Sequence, residues 1–309
     1  MISMVVPTRN RAHTLRLVAG SYLAQRGVDQ VIFVSDGSTD DTADFIATLA
    51  HENPGKEVKL LRSPERKGAA HSRNMGVAES RNEYILFCDD DEYLEADYAI
   101  TLMNKLQQLD AGAISGRRIY LQGNETPVQA LRRFGNGMRS GRAFHPSICE
   151  YVNGARFSGD ISLPLTNANI LTRRSLVLRF PFDDAYRDGN GYREESDFQM
   201  NLFVNGYRIY MSNDCHSFHL PLSHVRSGGQ RTSALKRVYW SIRHTSHFFK
   251  KYYDRYSRKM RLRTPRSIAL GLFAIFVLYR ELLRPPIHSA MTTLIAWQRR
   301  TRVLNGDAS

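Results

Sequence analysis

The chain has 309 residues, enough for one large domain or one domain with an appendage, and its 42% hydrophobic share implies a sizeable core. Its three cysteines, Cys88, Cys149 and Cys215, are far apart and form no Cys-x-x-Cys. That argues against a disulfide framework or a zinc site and points to a reducing compartment. The net charge of +13 is uneven: residues 226–309 hold 18 Lys and Arg against 3 Asp and Glu, while residues 1–225 hold 25 against 27. A near-neutral body with a basic tail implies that the tail meets something anionic, a membrane surface or nucleic acid.

In chain order, the N-terminus reads as a strand over Ile2–Val6, without the charged and apolar regions of a signal peptide. Apolar spacing predicts a helix over 12–26, then a strand at Val31–Val34 ending in the turn-rich Ser35–Asp41. A helix over 40–52 follows, with Thr39 or Asp40 as its cap. Strands are expected at Val58–Leu61, Tyr84–Cys88 and Ala113–Ile119, and helices at 68–80 and 95–109. This alternation implies an α/β fold with a mostly parallel sheet flanked by helices. Residues 122–160 are rich in Gly, Asn, Arg and Ser and read as a loop-rich segment. Order returns with a strand at Leu165–Leu171, a helix from 193 to 205 and a strand at Tyr207–Met211.

The run Tyr84-Ile85-Leu86-Phe87-Cys88 leads straight into Asp89-Asp90-Asp91-Glu92. A buried strand cannot hold carboxylates inside its sheet, so they must lie past its C-terminal end, where open α/β sheets bind ligands. Adjacent carboxylates gain most from a shared cation, and hard oxygen ligands suit Mg²⁺ or Mn²⁺ carrying phosphate. The competing reading is the acidic first turn of a helix.

Four segments stand in a set order. Val5-Val6-Pro7-Thr8-Arg9-Asn10 ends the first strand, and Ser35-Asp36-Gly37-Ser38-Thr39-Asp40-Asp41 ends the second. Gly68-Ala69-Ala70-His71-Ser72-Arg73-Asn74 opens a helix, and Asp89-Asp90-Asp91 ends the fourth strand. The set resembles the family 2 glycosyltransferases, nucleotide-sugar-dependent inverting enzymes of GT-A fold, over residues 2–220. The resemblance implies a Rossmann-like nucleotide-binding half. In it Pro7, Thr8 and Asn10 line the base pocket, Asp36 holds base or ribose, and Arg73 neutralises the nucleotide. Asp89, Asp90 and Asp91 match the family's Asp-x-Asp, with Asp89 toward the ribose and both Asp89 and Asp91 toward Mn²⁺ or Mg²⁺. Asn167 and Asn169 match polar residues beside the donor sugar. Glu194-Glu195-Ser196-Asp197 resembles the family's Glu-Asp-x-Asp, with Glu195 where an aspartate is more usual. It implies Glu195 as the base that deprotonates the acceptor, with Asp197 second. His219 falls at the spacing of a family histidine that completes the metal's ligands, and His216 and His224 are its neighbours.

Two domains are expected: a catalytic domain over 1–225 and a basic, aromatic-rich helical extension over 226–309. Within the extension, Ile268–Tyr279 is an uncharged run of 12, too short to cross a bilayer, and Pro285-Pro286 precedes a weaker apolar stretch ending at Trp297. Basic residues with Tyr239, Trp240, Phe248, Phe249, Tyr252, Tyr253 and Tyr256 suit a headgroup interface. Packing on the core and a nucleic-acid arm are the alternatives, and the arginine-bracketed apolar run disfavours nucleic acid. The expected function is transfer of a sugar from a nucleotide-diphosphate donor, a UDP-sugar first, to a saccharide or lipid-linked hydroxyl acceptor in cell-surface polysaccharide or glycolipid synthesis. The expected place is the cytoplasm, peripheral at the inner face of the membrane, with a homo-oligomer allowed. A nucleotidyltransferase and a non-catalytic nucleotide-sugar binder are the rivals.

Overall fold

The computed structural model describes residues 1–134, 143–225 and 232–284. Strand β1 (Ile2–Thr8) has Ile2, Met4, Val5 and Val6 wholly buried, as a strand covered by helices on both faces must. Helix α1 (Ala12–Leu23), β2 (Val28–Asp36), α2 (Thr42–Glu52), β3 (Glu57–Ser63), α3 (Ala69–Ala78) and β4 (Tyr84–Phe87) follow. These four strands lie side by side and parallel, with Thr8 opposite Ser35 and Val5 opposite Phe87. Next come β5 (Glu92–Leu94), α4 (Tyr98–Gln108), β6 (Ala113–Tyr120), α5 (Pro127–Phe134) and a hairpin of β7 (Phe144–His145) and β8 (Glu150–Tyr151). Then come β9 (Asp160–Ser162), β10 (Ile170–Arg173), α6 (Arg174–Arg179), α7 (Glu194–Val204), β11 (Ile209–His219), α8 (Ala234–Lys259) and α9 (Arg266–Leu278).

The main sheet runs β3-β2-β1-β4-β10-β6-β11-β5, with β9 also on β11. The expected mostly parallel sheet flanked by helices is present. Antiparallel β10 is wedged between β4 and β6, and β5 and β9 pair antiparallel with β11. The chain steps outward from β1 to β3 and then returns to β4 on the other side of β1. The C-terminal ends of β1 and β4 therefore sit side by side at a switch point, where such sheets form a crevice.

Four expectations change. Residues 122–160 hold α5 and the β7–β8 hairpin, with 135–142 outside the described residues. The strand at Leu165–Leu171 begins only at Ile170, because upstream amides go to side chains: Thr166 N–H donates to Gln199 at 2.7 Å and Asn169 N–H to Asn167 at 3.0 Å. Glu92 does not open a helix; it lies in β5, opposite His219 of β11.

The fourth change concerns the extension. Phe248, Phe249, Tyr252, Tyr253 and Tyr256 recur on one face of α8, and all are buried with Met200, Met211 and Phe157 of the catalytic half. They are core residues and not a headgroup interface, and each stabilises the union by roughly 2 kcal/mol. On α9, Ala269, Phe273 and Val277 turn inward. Ile268 (55% exposed), Leu272 (44%), Ile275 (65%) and Tyr279 (49%) form a stripe facing out. Among the described residues no helix is long and apolar enough to cross a membrane. The apolar stretch ending at Trp297 lies outside the described residues.

Candidate active site

The loops after β1 and β2 lock together. Asn10, at φ 55°, accepts from Thr39 N–H at 2.7 Å, and its own N–H donates to the Ser38 hydroxyl. Asp40 accepts from the N–H groups of both Thr42 and Ala12, so it serves the start of α2 and of α1. Thr8 is buried beside these loops. Asp36 accepts from Lys67 N–H at 2.6 Å and Gly68 N–H at 2.9 Å, fixing the loop that leads into α3. Gly68 sits at φ 96°, and a Cβ there would lie 2.9 Å from the Arg187 Cα, so the loop requires glycine. A polar cleft of about 400 Å³ opens beside it, lined in part by Lys67, His71, Arg187 and Asp188.

The aspartate cluster fills the turn between β4 and β5. The Tyr22 hydroxyl of α1 is shared between the Asp89 carbonyl at 2.7 Å and the Glu92 carbonyl at 2.8 Å, and Asn169 accepts from Asp89 N–H. Asp89 lies 3.1 Å from Arg73 and 3.0 Å from Arg118. Burial pushes its carboxyl up, and Arg118 and Arg73 outweigh that and hold it below its ordinary value. Burial raises Asp90 to about 7, with Arg11 opposing and Asp91 adding to the rise. Arg11 stands 3.8 Å from Asp90 and 3.6 Å from Asp91. Glu92 is fully buried on Arg118 and Asn169, and burial raises it. Arg11, Arg118 and the paired role of Glu92 were missed in the sequence, although Arg118, like the aspartates, lies at the C-terminal part of a central strand.

Asp91 and His219 are the pair of side chains that could hold a metal. His219 Nδ1 is 2.7 Å from the Leu220 carbonyl, which can only accept, so Nδ1 carries the proton. In the neutral ring, Nε2 then presents a bare lone pair 3.7 Å from Asp91 Oδ1. A proton on Nε2 or a metal ion between the two would satisfy both groups. Asp89, expected as a third ligand, pairs with Arg73 and Arg118, and among the described residues no group of three His, Cys, Asp or Glu side chains is arranged to hold a metal. His216 is tied to Glu95 at 2.9 Å, away from the cluster.

On the facing side, α7 starts at Arg193 in the left-handed region, φ 77°. Its guanidinium donates to the Cys149 carbonyl at 2.6 Å and pairs with Glu150 at 2.8 Å. It also stacks on Phe248 of α8 and Phe273 of α9. Glu194 is buried and paired with Arg73; burial pushes it up to about 8 against the pull of that arginine. Glu195 keeps 29% of its side chain exposed, 3.5 Å from Arg73. Asp197 is 1% exposed and turned toward α8, whose Lys251 (2.7 and 2.8 Å) and Tyr252 (3.0 Å) donate to it, as does Tyr186 (2.8 Å) from the turn before α7. A carboxylate engaged by that many donors holds structure together, and burial raises its carboxyl against the pull of Lys251 and the two tyrosines. Asn167 is buried, donating to the Gly116 carbonyl at 2.8 Å. Pro7 ends up beside Val34 in the strand register.

A family model described as glycosyl transferase family 2 matches residues 3–180, more than half of the chain. The glycosyltransferase GlyG of Streptococcus pneumoniae is 31% identical over 118 residues, 38% of each protein. The succinoglycan biosynthesis protein ExoU of Rhizobium meliloti is 26% identical over 242 residues, 77% of this chain and 67% of its own. The first four curated relatives are matched over only 29% to 50% of their length. The mannosyltransferase PcManGT from Pyrobaculum calidifontis, in complex with GDP-Man and Mn²⁺, aligns with TM-score 0.59 at 17% identity, covering 98% of this chain and 80% of its own. TarS of S. aureus in complex with UDP-GlcNAc aligns with TM-score 0.56 at 14% identity, covering 90% and 72%. These structural likenesses are likenesses of fold.

Proposed function

This chain belongs to glycosyl transferase family 2, and from that premise we propose that it is an inverting transferase. It moves a sugar from a nucleotide-diphosphate donor, a UDP-sugar first, to a hydroxyl of a saccharide or lipid-linked acceptor. The observation that carries the reading is an arrangement of charged side chains. A carboxylate cluster at a strand switch point faces a second, partly exposed carboxylate, Glu195, with Arg73 between them.

Glu195 takes the acceptor proton as the hydroxyl oxygen attacks the anomeric carbon and the bond to the diphosphate breaks. General-base help of this kind contributes about 10²–10⁴ in rate. Asp36 keeps lone pairs for a ring N–H or a ribose hydroxyl, with Pro7, Thr8 and Asn10 shaping the pocket around the base. Arg73, Arg118 and Arg11 set the charge of the donor side, and Asn167 and Asn169 brace the floor below the sugar. Asp91 and His219 would hold Mn²⁺ or Mg²⁺, which when bound offsets the charge that grows on the departing diphosphate. Mn²⁺ with GDP-Man in PcManGT supports a divalent ion, and the role named for ExoU supports a place in surface-polysaccharide assembly.

The basic extension and the exposed stripe of α9 support a peripheral position on an anionic cytoplasmic membrane face, where a lipid-linked acceptor resides. No observation favours a nucleotidyltransferase, and the accessible Glu195 disfavours a mere binder. The test is a thermal-shift screen of UDP, GDP and other nucleoside diphosphates with and without Mn²⁺. The expected result is saturable stabilisation by one base that deepens with the ion. No response to any nucleotide would overturn the reading.

A further inference from the structure

Arg73 stands in a slot that fixes where its charge can go. Asn74, the next residue, donates to the Phe182 carbonyl at 2.9 Å and accepts from Phe182 N–H at 3.0 Å. The Phe182 ring therefore lies against the Arg73 guanidinium, with its centroid 5.5 Å from Cζ. That ring is stacked in turn on Phe198 of α7 and set edge-on to Phe87 of β4. Arg73 is 2% exposed, so it has no open solvent to turn to.

Three carboxylates share this one cation. Glu194 takes Nη1 in the closest contact of the three, while Nη2 is divided between Asp89 at 3.1 Å and Glu195 at 3.5 Å. Glu194 is 4% exposed, and its N–H donates to the Gly191 carbonyl at 3.2 Å. Glu195 keeps 29% of its side chain open. The charged groups facing Glu194 are Arg73 of α3, Glu195 of its own helix and Asp89 of the turn after β4. Glu195 faces Glu194, Arg73 and, from β6, Arg118. A carboxylate in close contact with an arginine holds its negative charge and is a poor proton acceptor. At 3.5 Å, Glu195 stands at the outer limit of a hydrogen bond to Arg73. Glu194 is nearer and has first claim on the guanidinium.

We propose that Glu194 is a positioning residue for the transfer. It holds Arg73 on its own carboxylate and keeps that guanidinium from closing on Glu195, which stays free to take the acceptor's proton. The proposal rests on the reading of Glu195 as the base and adds what keeps it one. With the charge of Glu194 removed, one buried cation is left to two carboxylates, and it draws Glu195 in.

The test is a ¹³C NMR pH titration of the full chain labelled at the glutamate carboxyl carbon, with the Glu195 signal assigned by its loss in Glu195→Gln. Glu194→Gln keeps the size of the side chain and an oxygen for Arg73 Nη1 and removes only the charge. In that variant the Glu195 midpoint should fall by about one pH unit, the low end for a carboxylate that gains an arginine. Glu194→Asp, which keeps the charge, should recover most of the wild-type position. Arg73→Gln/Glu194→Gln loses one charge of each sign and should leave the midpoint where the wild type has it. That double variant buries no unpaired charge, so it is read even where Glu194→Gln does not fold. The kinetic arm follows nucleotide release from UDP-glucose, UDP-N-acetylglucosamine and GDP-mannose. The acid limb of kcat should move down with the NMR midpoint in Glu194→Gln, and the plateau should fall about threefold with donor KM nearly unchanged. A Glu195 midpoint unmoved in Glu194→Gln, or displaced in the double variant, would overturn the proposal and leave the base reading standing; a purely structural Glu194 would lower the melting temperature alone. A midpoint that moves while the pH profile of turnover does not would overturn Glu195 as the base.

Discussion

The Arg73 guanidinium stands 3.5 Å from the Glu195 carboxylate, and the same nitrogen stands 3.1 Å from Asp89. One buried cation therefore touches both the donor-side cluster and the carboxylate assigned as base. Burial works against its charge, and Glu194, Glu195 and Asp89 together overcome this and raise its pKa. Anything that neutralises Asp89 changes what Arg73 offers Glu195.

Asp91→Ala removes one of the two acceptors that face each other across 3.7 Å. Transfer should fall by about 10²–10³, and the extra thermal stabilisation by nucleotide with Mn²⁺ should vanish. The fold should persist, because Asp91 is anchored through its carbonyl, which accepts from Leu220 N–H at 2.9 Å. Full turnover in this variant would refute the metal assignment.

Glu195→Gln keeps shape and removes the lone pair that takes the proton. Donor binding should stay within about twofold, while turnover falls by about 10³. Glu195→Asp should recover part of the loss, since the family more often has the shorter acid here. Single-turnover transfer assays alongside donor titration separate the two effects, and unchanged turnover in the Gln variant would exclude Glu195.

Asp197→Ala strips a buried acceptor from Lys251, Tyr186 and Tyr252. It should cost about 3–5 kcal/mol of stability, the range for breaking a buried pair. Asp197→Asn should fold with smaller loss and keep transfer within tenfold. If Asp197→Asn folds normally yet abolishes transfer, the base is Asp197 and not Glu195.

Asp183 sets a pH test. Burial raises its carboxyl, and Lys251, the Ala185 amide and His247 prevail, holding it at about 2 against an ordinary 3.8. A depressed native pKa contributes stability that is fully present above 3.8 and is lost as pH falls toward 2. Asp183→Asn should therefore melt lower than wild type at neutral pH, with the two midpoints converging between pH 4 and about 2. Parallel curves over that window would show that the carboxylate adds no such stability.

Much of the cleft was legible because its elements announce themselves locally. An apolar run ending in Asp89-Asp90-Asp91 can only place the acids past a strand, and Glu194–Asp197 sits at a helix start as its spacing suggests. What stayed hidden depends on distant partners. Glu92 has the composition of a helix turn, yet Arg118 from β6 and Asn169 before β10 draw it into a strand. Arg11 looks like one of many surface arginines until the fold brings Asp90 and Asp91 to it. Antiparallel β10 leaves no trace, since strand direction has no side-chain signature. The α8 aromatics were weighed by composition; their recurrence at 248, 249, 252, 253 and 256 is a helical face and would have marked them as core.

Arg193 carries a last consequence. It is the residue before α7, and it is gripped by Glu150 of β8, Phe248 of α8 and Phe273 of α9. The helix bearing Glu195 is thus moored at its first turn to α8 and to α9, the helix that carries the outward apolar stripe. Shortening the protein at its C-terminal end to obtain a simpler catalyst would cut that mooring, and a force or a docking event felt by α9 would be felt two residues from Glu195. The tail is part of the machine's frame, and a trimmed enzyme should be slower even on an acceptor that never needed a membrane.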